Sequence, residues 1–365
     1  MTKEEYWYWF CTIPGFGAAK LQTILAWCGS PKEAFRLSPE LLEKFPKVRA
    51  KDVTAWRKSI SEIDLICRQY HQLEKQNIQF ITKEQAGYPG RLLQMYDAPM
   101  GLFYRGSLPL DDVPSVAIIG ARGCTSYGRE TARVLGKQLA QAGIQVISGM
   151  ALGIDGAGQR GAIEGGGQTF GVLGSGVDIC YPKENFALYC QIPEHGGLIS
   201  EYPPGQKGLA QLFPVRNRII AGLSDCIIVV EARKKSGTLI TVDQALDQGK
   251  DIFAVPGRIE DPLSVGCNEL IRNGAGILTG VEEILDFFHI NAPKEMTGNK
   301  KSLKPLANEE KIIYSCLSFQ EKQIEEILGE TGLTVSQAMI ALLQLELKNY
   351  IYQPQKNYYA RCKDG

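Results

Sequence analysis

The sequence predicts an α/β fold: an extended Rossmann-like, mostly parallel sheet over residues 115–288. An N-terminal helical, sterile-alpha-motif-like domain and a C-terminal winged-helix domain flank it. Three observations predict this. Short β-branched apolar runs recur from Val116 onward. Stretches of helical pattern separate most of them, which implies parallel strands joined by right-handed crossovers. Three short helical patterns and a hairpin signal then close the chain.

The candidate strands are Val116–Ile119, Val146–Ser148, Thr169–Leu173, Leu198–Ser200, Ile227–Val230, Ile252–Val255 and Ile277–Leu278. Nearly all are continuously apolar, as strands buried on both faces must be. Upstream, Trp7, Phe10, Leu21, Leu25 and Trp27 fit short amphipathic helices. Ser38-Pro39-Glu40 reads as an N-cap, a first-turn proline and an acid just inside. A short extended piece, Ile78 to Thr82, leads into a turn-rich stretch from Gly87 to Pro109, expected to be a connecting arm. The polar, lysine- and proline-bearing residues 291–308 read as a linker. In the tail, Glu309–Leu317, Gln320–Leu328 and Val335–Leu347 are helical patterns. Ile351–Tyr352 and Tyr358–Tyr359 flank Gln-Pro-Gln-Lys-Asn as a hairpin. The expected domains are residues 1–75 (helical), 76–114 (arm), 115–288 (sheet), 289–307 (linker) and 308–365 (winged helix).

At 365 residues, with 40 basic and 40 acidic groups, the chain has no global field to recruit a polyanion. Residues 1–114 carry 15 basic against 13 acidic groups, and residues 115–290 carry 15 against 18. Any polyanion site must come from local clustering. None of the ten cysteines forms a CxxC, and the three histidines (71, 195, 289) are scattered, so no metal site is expected. With no export signal and no apolar span of membrane length, a reducing cytoplasm without membrane contact is expected.

The first strand of the sheet ends in Gly120-Ala121-Arg122-Gly123, and a helix opens after it. Backbone N–H groups and the helix dipole there make an anion site. It is not the dinucleotide fingerprint: alanine and arginine follow Gly120, and Ser148-Gly149-Met150 offers no carboxylate for a ribose. Alone, this motif is no more than a tight turn with a surface arginine. The other strand ends add Gly174-Ser175-Gly176 with Tyr181-Pro182-Lys183, Ser200-Glu201-Tyr202, Glu231-Ala232-Arg233 with Ser236-Gly237-Thr238, and Pro256-Gly257. In an open α/β sheet these ends gather on one edge. Phe213-Pro214-Val215-Arg216-Asn217-Arg218 opens a further helix, bringing cations for phosphates and a ring for a base.

Taken together and in this order, these motifs, with Gly153-Ile154-Asp155 and Gly266-Cys267-Asn268, resemble the DprA/Smf family over about 170 residues. The resemblance implies a protein that binds single-stranded DNA, forms homodimers and loads a RecA-type recombinase during natural transformation, without enzymatic activity or cofactor. It places Arg122 and Lys183 at phosphate-binding positions. Ser148, Gly149, Phe213, Arg216, Asn217, Arg218, Ser236, Gly237 and Thr238 become further DNA contacts. Self-association would use Asn268, Leu270, Ile271 and Ile277.

Two flanking features are more ambiguous. Ile13-Pro14-Gly15-Phe16-Gly17 resembles a helix-hairpin-helix turn, whose N–H groups can hold a phosphate, but a plain helix–helix turn is the favoured reading. The helix Val335–Leu347 has no Lys or Arg before Lys348, so tight DNA reading is not expected of it. Ile340, Leu343 and Leu347 are expected in its core.

Enzyme alternatives fit less well. There is no P-loop, no G-x-S-x-G elbow and no HExxH. The strongest alternative is a nucleoside-monophosphate phosphoribohydrolase, suggested by Ser236-Gly237-Thr238. Its glutamate three residues after the threonine would fall at Thr241.

Overall fold

The computed structural model describes residues 1–290, 306–348 and 350–362. Most of the expected linker, residues 291–305, lies outside the described residues. Two compact units make up the chain: the first carries the N-terminal helices and the large sheet, the second the C-terminal helices and hairpin.

The sheet of the first unit has nine strands. They are β1 (Gln79–Thr82), β2 (Gly101–Gly106), β3 (Ser115–Ile119), β4 (Gln145–Ser148), β5 (Thr169–Val172), β6 (Gly196–Ser200), β7 (Cys226–Val229), β8 (Asp251–Ala254) and β9 (Gly276–Ile277). Their order is β1-β2-β6-β5-β4-β3-β7-β8-β9. β6 through β9 run parallel, while β2 pairs antiparallel with β6 and β1 antiparallel with β2. The chain walks outward from β3 to β6, then returns to place β7 on the other side of β3. That reversal is the switch point at which open α/β sheets bind ligands. β3 to β7 are buried throughout, which accounts for their continuous apolar runs.

The expected connecting arm is corrected here: residues 79–106 supply two strands of the same sheet. Only Ile78 to Thr82 showed an extended signal. Its partner begins at a glycine and follows a turn-rich stretch, so its register is set by pairing with β6, far along the chain.

The N-terminal helices enclose a core of Trp7, Trp9, Phe10, Ile24, Leu42 and Trp56. It is joined to the sheet through Met100 and Phe80, while Tyr8 meets Phe103 edge-on at 5.8 Å.

The second unit packs helices Asn308–Cys316, Ile324–Thr331 and Val335–Leu347 beside a three-stranded sheet of β10 (Lys322–Gln323), β11 (Ile351–Gln355) and β12 (Tyr358–Arg361). This is a winged helix with one strand more than the hairpin expected. Its last helix is turned differently from the expectation. Ala338, Ala341, Leu342 and Leu345 fill the core, and Ile340, Leu343 and Leu347 are exposed. Apolar residues occupy both sides of this helix, so composition alone left its phase undetermined.

Candidate nucleic-acid interface

At the switch point, a groove of about 580 Å³ opens over the ends of β3 and β7. The two strand-end loops are tied to each other: the Ala121 amide donates to the Glu231 carbonyl (2.8 Å) and the Val230 amide to the Ile119 carbonyl (3.2 Å). One wall is the backbone of Gly120–Gly123 with Arg122. The opposite wall is Ser236, Gly237 and Thr238 at the start of helix Gly237–Asp247, with Arg233 beside it. The Ser236 hydroxyl is buried and has no hydrogen-bond partner. Arg122 and Arg233 are exposed, and neither forms an ion pair with a carboxylate of the described residues. An anion in this groove would therefore meet two uncommitted guanidinium groups, backbone N–H groups and a helix start.

The third side is aromatic. The Arg122 guanidinium lies 5.7 Å from the centre of the Phe213 ring. Phe213 stacks on Tyr181 with centroids 5.2 Å apart and planes 21° from parallel. Gly174 makes this possible, because a Cβ there would come within 2.6 Å of the Phe213 ring. Pro214 and Ile240 continue the apolar rim.

The floor is Arg216 beside Asp155, both buried. The Arg216 Nη1 donates to the Gly149 carbonyl (2.9 Å) and to that of Val172. The Gly149 amide donates to Asp155 (3.1 Å). A Cβ on Gly149 would lie 2.8 Å from both Arg216 and Asp155, so only glycine fits between them. Burial pushes the Asp155 carboxyl up, against the pull of Arg216. Burial likewise brings the Arg216 guanidinium down to about 10, with Asp155 opposing and Arg122 adding to the effect. Arg216 stays charged at neutral pH.

The expected contacts thus divide. Arg122, Phe213, Arg216, Asn217, Ser236, Gly237 and Thr238 all line the groove. Ser148 does not: it is buried, and its hydroxyl donates to the Ile118 carbonyl (2.6 Å). Gly149 is buried beneath Arg216. Arg218 is turned away, donating to Glu201 (2.5 Å) and lying 3.2 Å from Asp97. These three hold the floor and the neighbouring loops together instead of facing a ligand. Lys183 is exposed in the short turn Lys183–Asn185 but does not line the groove. Conversely, Tyr181 and Arg233 line the groove though the sequence marks them only as residues just past a strand. Their signal was position just past a strand, shared with many neighbours that point elsewhere.

The expected self-association residues lie at the far edge of the sheet. Asn268 brackets Gly257, accepting from its amide (3.2 Å) and donating to its carbonyl (3.0 Å). Leu270 and Ile271 are half-buried against the sheet core. Ile277 is 52% exposed on β9, the last strand.

No cluster of three or more His, Cys, Asp or Glu among the described residues could hold a metal. None of the described helices is long and apolar enough to cross a membrane.

Residues 79–289 match the family model described as DNA recombination-mediator protein A, and residues 298–353 match the DprA winged helix domain. The DNA processing protein DprA of Streptococcus pneumoniae is 43% identical over 201 residues, 55% of this chain and 71% of that protein. An X-ray structure of DprA from the same species superposes with a TM-score of 0.68 and 32% identity, covering 78% of this chain and 98% of that one. A structure of DprA from Helicobacter pylori, described as revealing a single-stranded DNA binding mode, gives 0.52 and 30% over 58% of this chain and 96% of that one.

Proposed function

The chain belongs to the DprA/Smf family of DNA-processing proteins, and we propose that it is a single-strand DNA-binding recombination mediator. One observation carries this reading: Arg122 over Phe213, with Phe213 stacked on Tyr181, at the mouth of a glycine-walled groove. Cations and backbone N–H groups suit a phosphate chain, and the partly exposed rings suit unpaired bases. A duplex keeps its bases stacked on each other and would leave the rings unused. The single-strand binding described for the Helicobacter relative supports the same reading.

Loading of a RecA-type recombinase, in natural transformation, completes the proposal and rests on family membership. So does a homodimer, for which the open strand β9 with Ile277 is the natural edge. We place the protein in a reducing cytoplasm, where its ten cysteines would stay as thiols. The role is non-enzymatic. Thr241 lines the groove where a phosphoribohydrolase would need its carboxylate.

Competition against a bound fluorescent oligothymidine tests this. Unlabelled single strand should displace it at far lower concentration than duplex of equal length at the same salt. Equal displacement by both contradicts the reading.

A further inference from the structure

Outside the stretches matched by the family models, residues 44–51 (Lys-Phe-Pro-Lys-Val-Arg-Ala-Lys) carry four cations and no acid. In a chain of zero net charge this is a pronounced local excess. The segment is a fixed turn: the Phe45 amide donates to the Leu42 carbonyl (3.2 Å) and the Val48 amide to the Phe45 carbonyl (3.3 Å). Phe45 and Val48 pack partly against the N-terminal core, while Lys44, Lys47, Arg49 and Lys51 are all exposed. Lys47 holds a left-handed backbone (φ 63°), which reverses the chain between the two anchors.

The charges are mostly uncommitted. Arg49 is 3.7 Å from Asp52, but that carboxylate is already held by Lys20 at 2.7 Å. Lys44, Lys47 and Lys51 have no ion-pair partner among the described residues, although Glu43 is next in the chain. Asp52 also accepts from the Arg49 amide (2.9 Å) and lies under Gly15, where a Cβ would be 3.2 Å from it. The basic turn is therefore braced against the Pro14–Gly17 turn between the first two helices.

Beside the cations stands an aromatic ring exposed to solvent. Trp27 is 61% exposed and meets Phe45 edge-on, centroids 5.8 Å apart. The other three tryptophans, 7, 9 and 56, are fully buried.

We propose that Lys44, Lys47, Arg49, Lys51 and Trp27 form a second binding site for single-stranded nucleic acid, separate from the groove at the switch point. The cations take the phosphate chain and Trp27 stacks on an unpaired base. A duplex has no free base face to offer Trp27. The site rests on the reading of the chain as a strand-binding protein and extends it: two weak sites on one strand raise its residence without new contacts at either.

Trp27 supplies the test, because it is the solvent-facing indole. Oligothymidine is titrated into the full chain, and into Arg122→Ala, while tryptophan emission and its quenching by acrylamide are followed. The strand should quench emission and shield Trp27 from acrylamide in both proteins. The quenching should vanish in Trp27→Leu. In a variant carrying Lys44→Ser, Lys47→Asn and Lys51→Ser, the slope of log affinity against log salt should fall by about 2. Asparagine at position 47 suits the left-handed turn. Unchanged acrylamide access at saturating strand, with a wild-type salt slope in the lysine variant, would overturn the proposal. If Arg122→Ala leaves affinity intact while Trp27 still responds, the groove reading fails and this site stands.

Discussion

The Arg122 guanidinium lies over the face of Phe213, 5.7 Å from its centre, so one cation and one ring form a single recognition element. The two components are separable by experiment. Replacing Phe213 with alanine removes a stacking surface and no formal charge. Single-strand affinity should fall by about 1–3 kcal/mol with the salt slope unchanged. Fluorescence anisotropy at several salt concentrations measures both.

Gly149→Ala probes the floor. Its Cβ would press on Arg216 and Asp155 at 2.8 Å, while Arg216 is held by the Gly149 and Val172 carbonyls and Asp155 by the Gly149 amide. The substitution should destabilise the chain by about 1–3 kcal/mol, read as a lower urea midpoint.

Arg218 and Arg216 also show where the sequence stopped being informative. Arg-Asn-Arg at a helix start reads as cations free to meet phosphates. Yet helix Leu212–Leu223 is buried at both arginines, whose partners come from Gly149, Val172, Glu201 and Asp97. No local pattern announces partners that far away in the chain. The strands were legible because their burial on both faces is written as unbroken apolar runs. β2 was not, since it starts at a glycine after a turn-rich segment and is defined by its partners. Arg122 and Phe213 were legible as residues, but their contact was not: they come together only because the sheet places β3 beside the helix after β6.

Arg218→Ala should therefore act on stability. It leaves Glu201 without the cation it bonds, and the loss of this part-buried pair should cost about 1–3 kcal/mol. Thermal unfolding should shift down markedly. Salt dependence of strand binding by the folded fraction should stay at the wild-type value.

The proposed dimer has its own test at the sheet edge. Ile277→Asp puts a charge on an exposed β9 side chain that supports nothing in the core. Sedimentation should show wild-type dimers becoming monomers, with the thermal midpoint of the isolated fold little changed. Dimers of undiminished stability in the variant would place the interface elsewhere.

The central claim is that a few placed cations in one groove, in a chain with no net charge, grip the phosphate chain. The most direct test is a salt-titrated measurement of single-strand affinity for the wild type and for Arg122→Ala/Arg233→Ala. Both residues are exposed at the groove, so the fold should survive. The double variant should bind about tenfold more weakly or worse. Its slope of log affinity against log salt should be shallower by about 1.4, for two lost phosphate contacts. Wild-type affinity together with a wild-type slope would contradict the account.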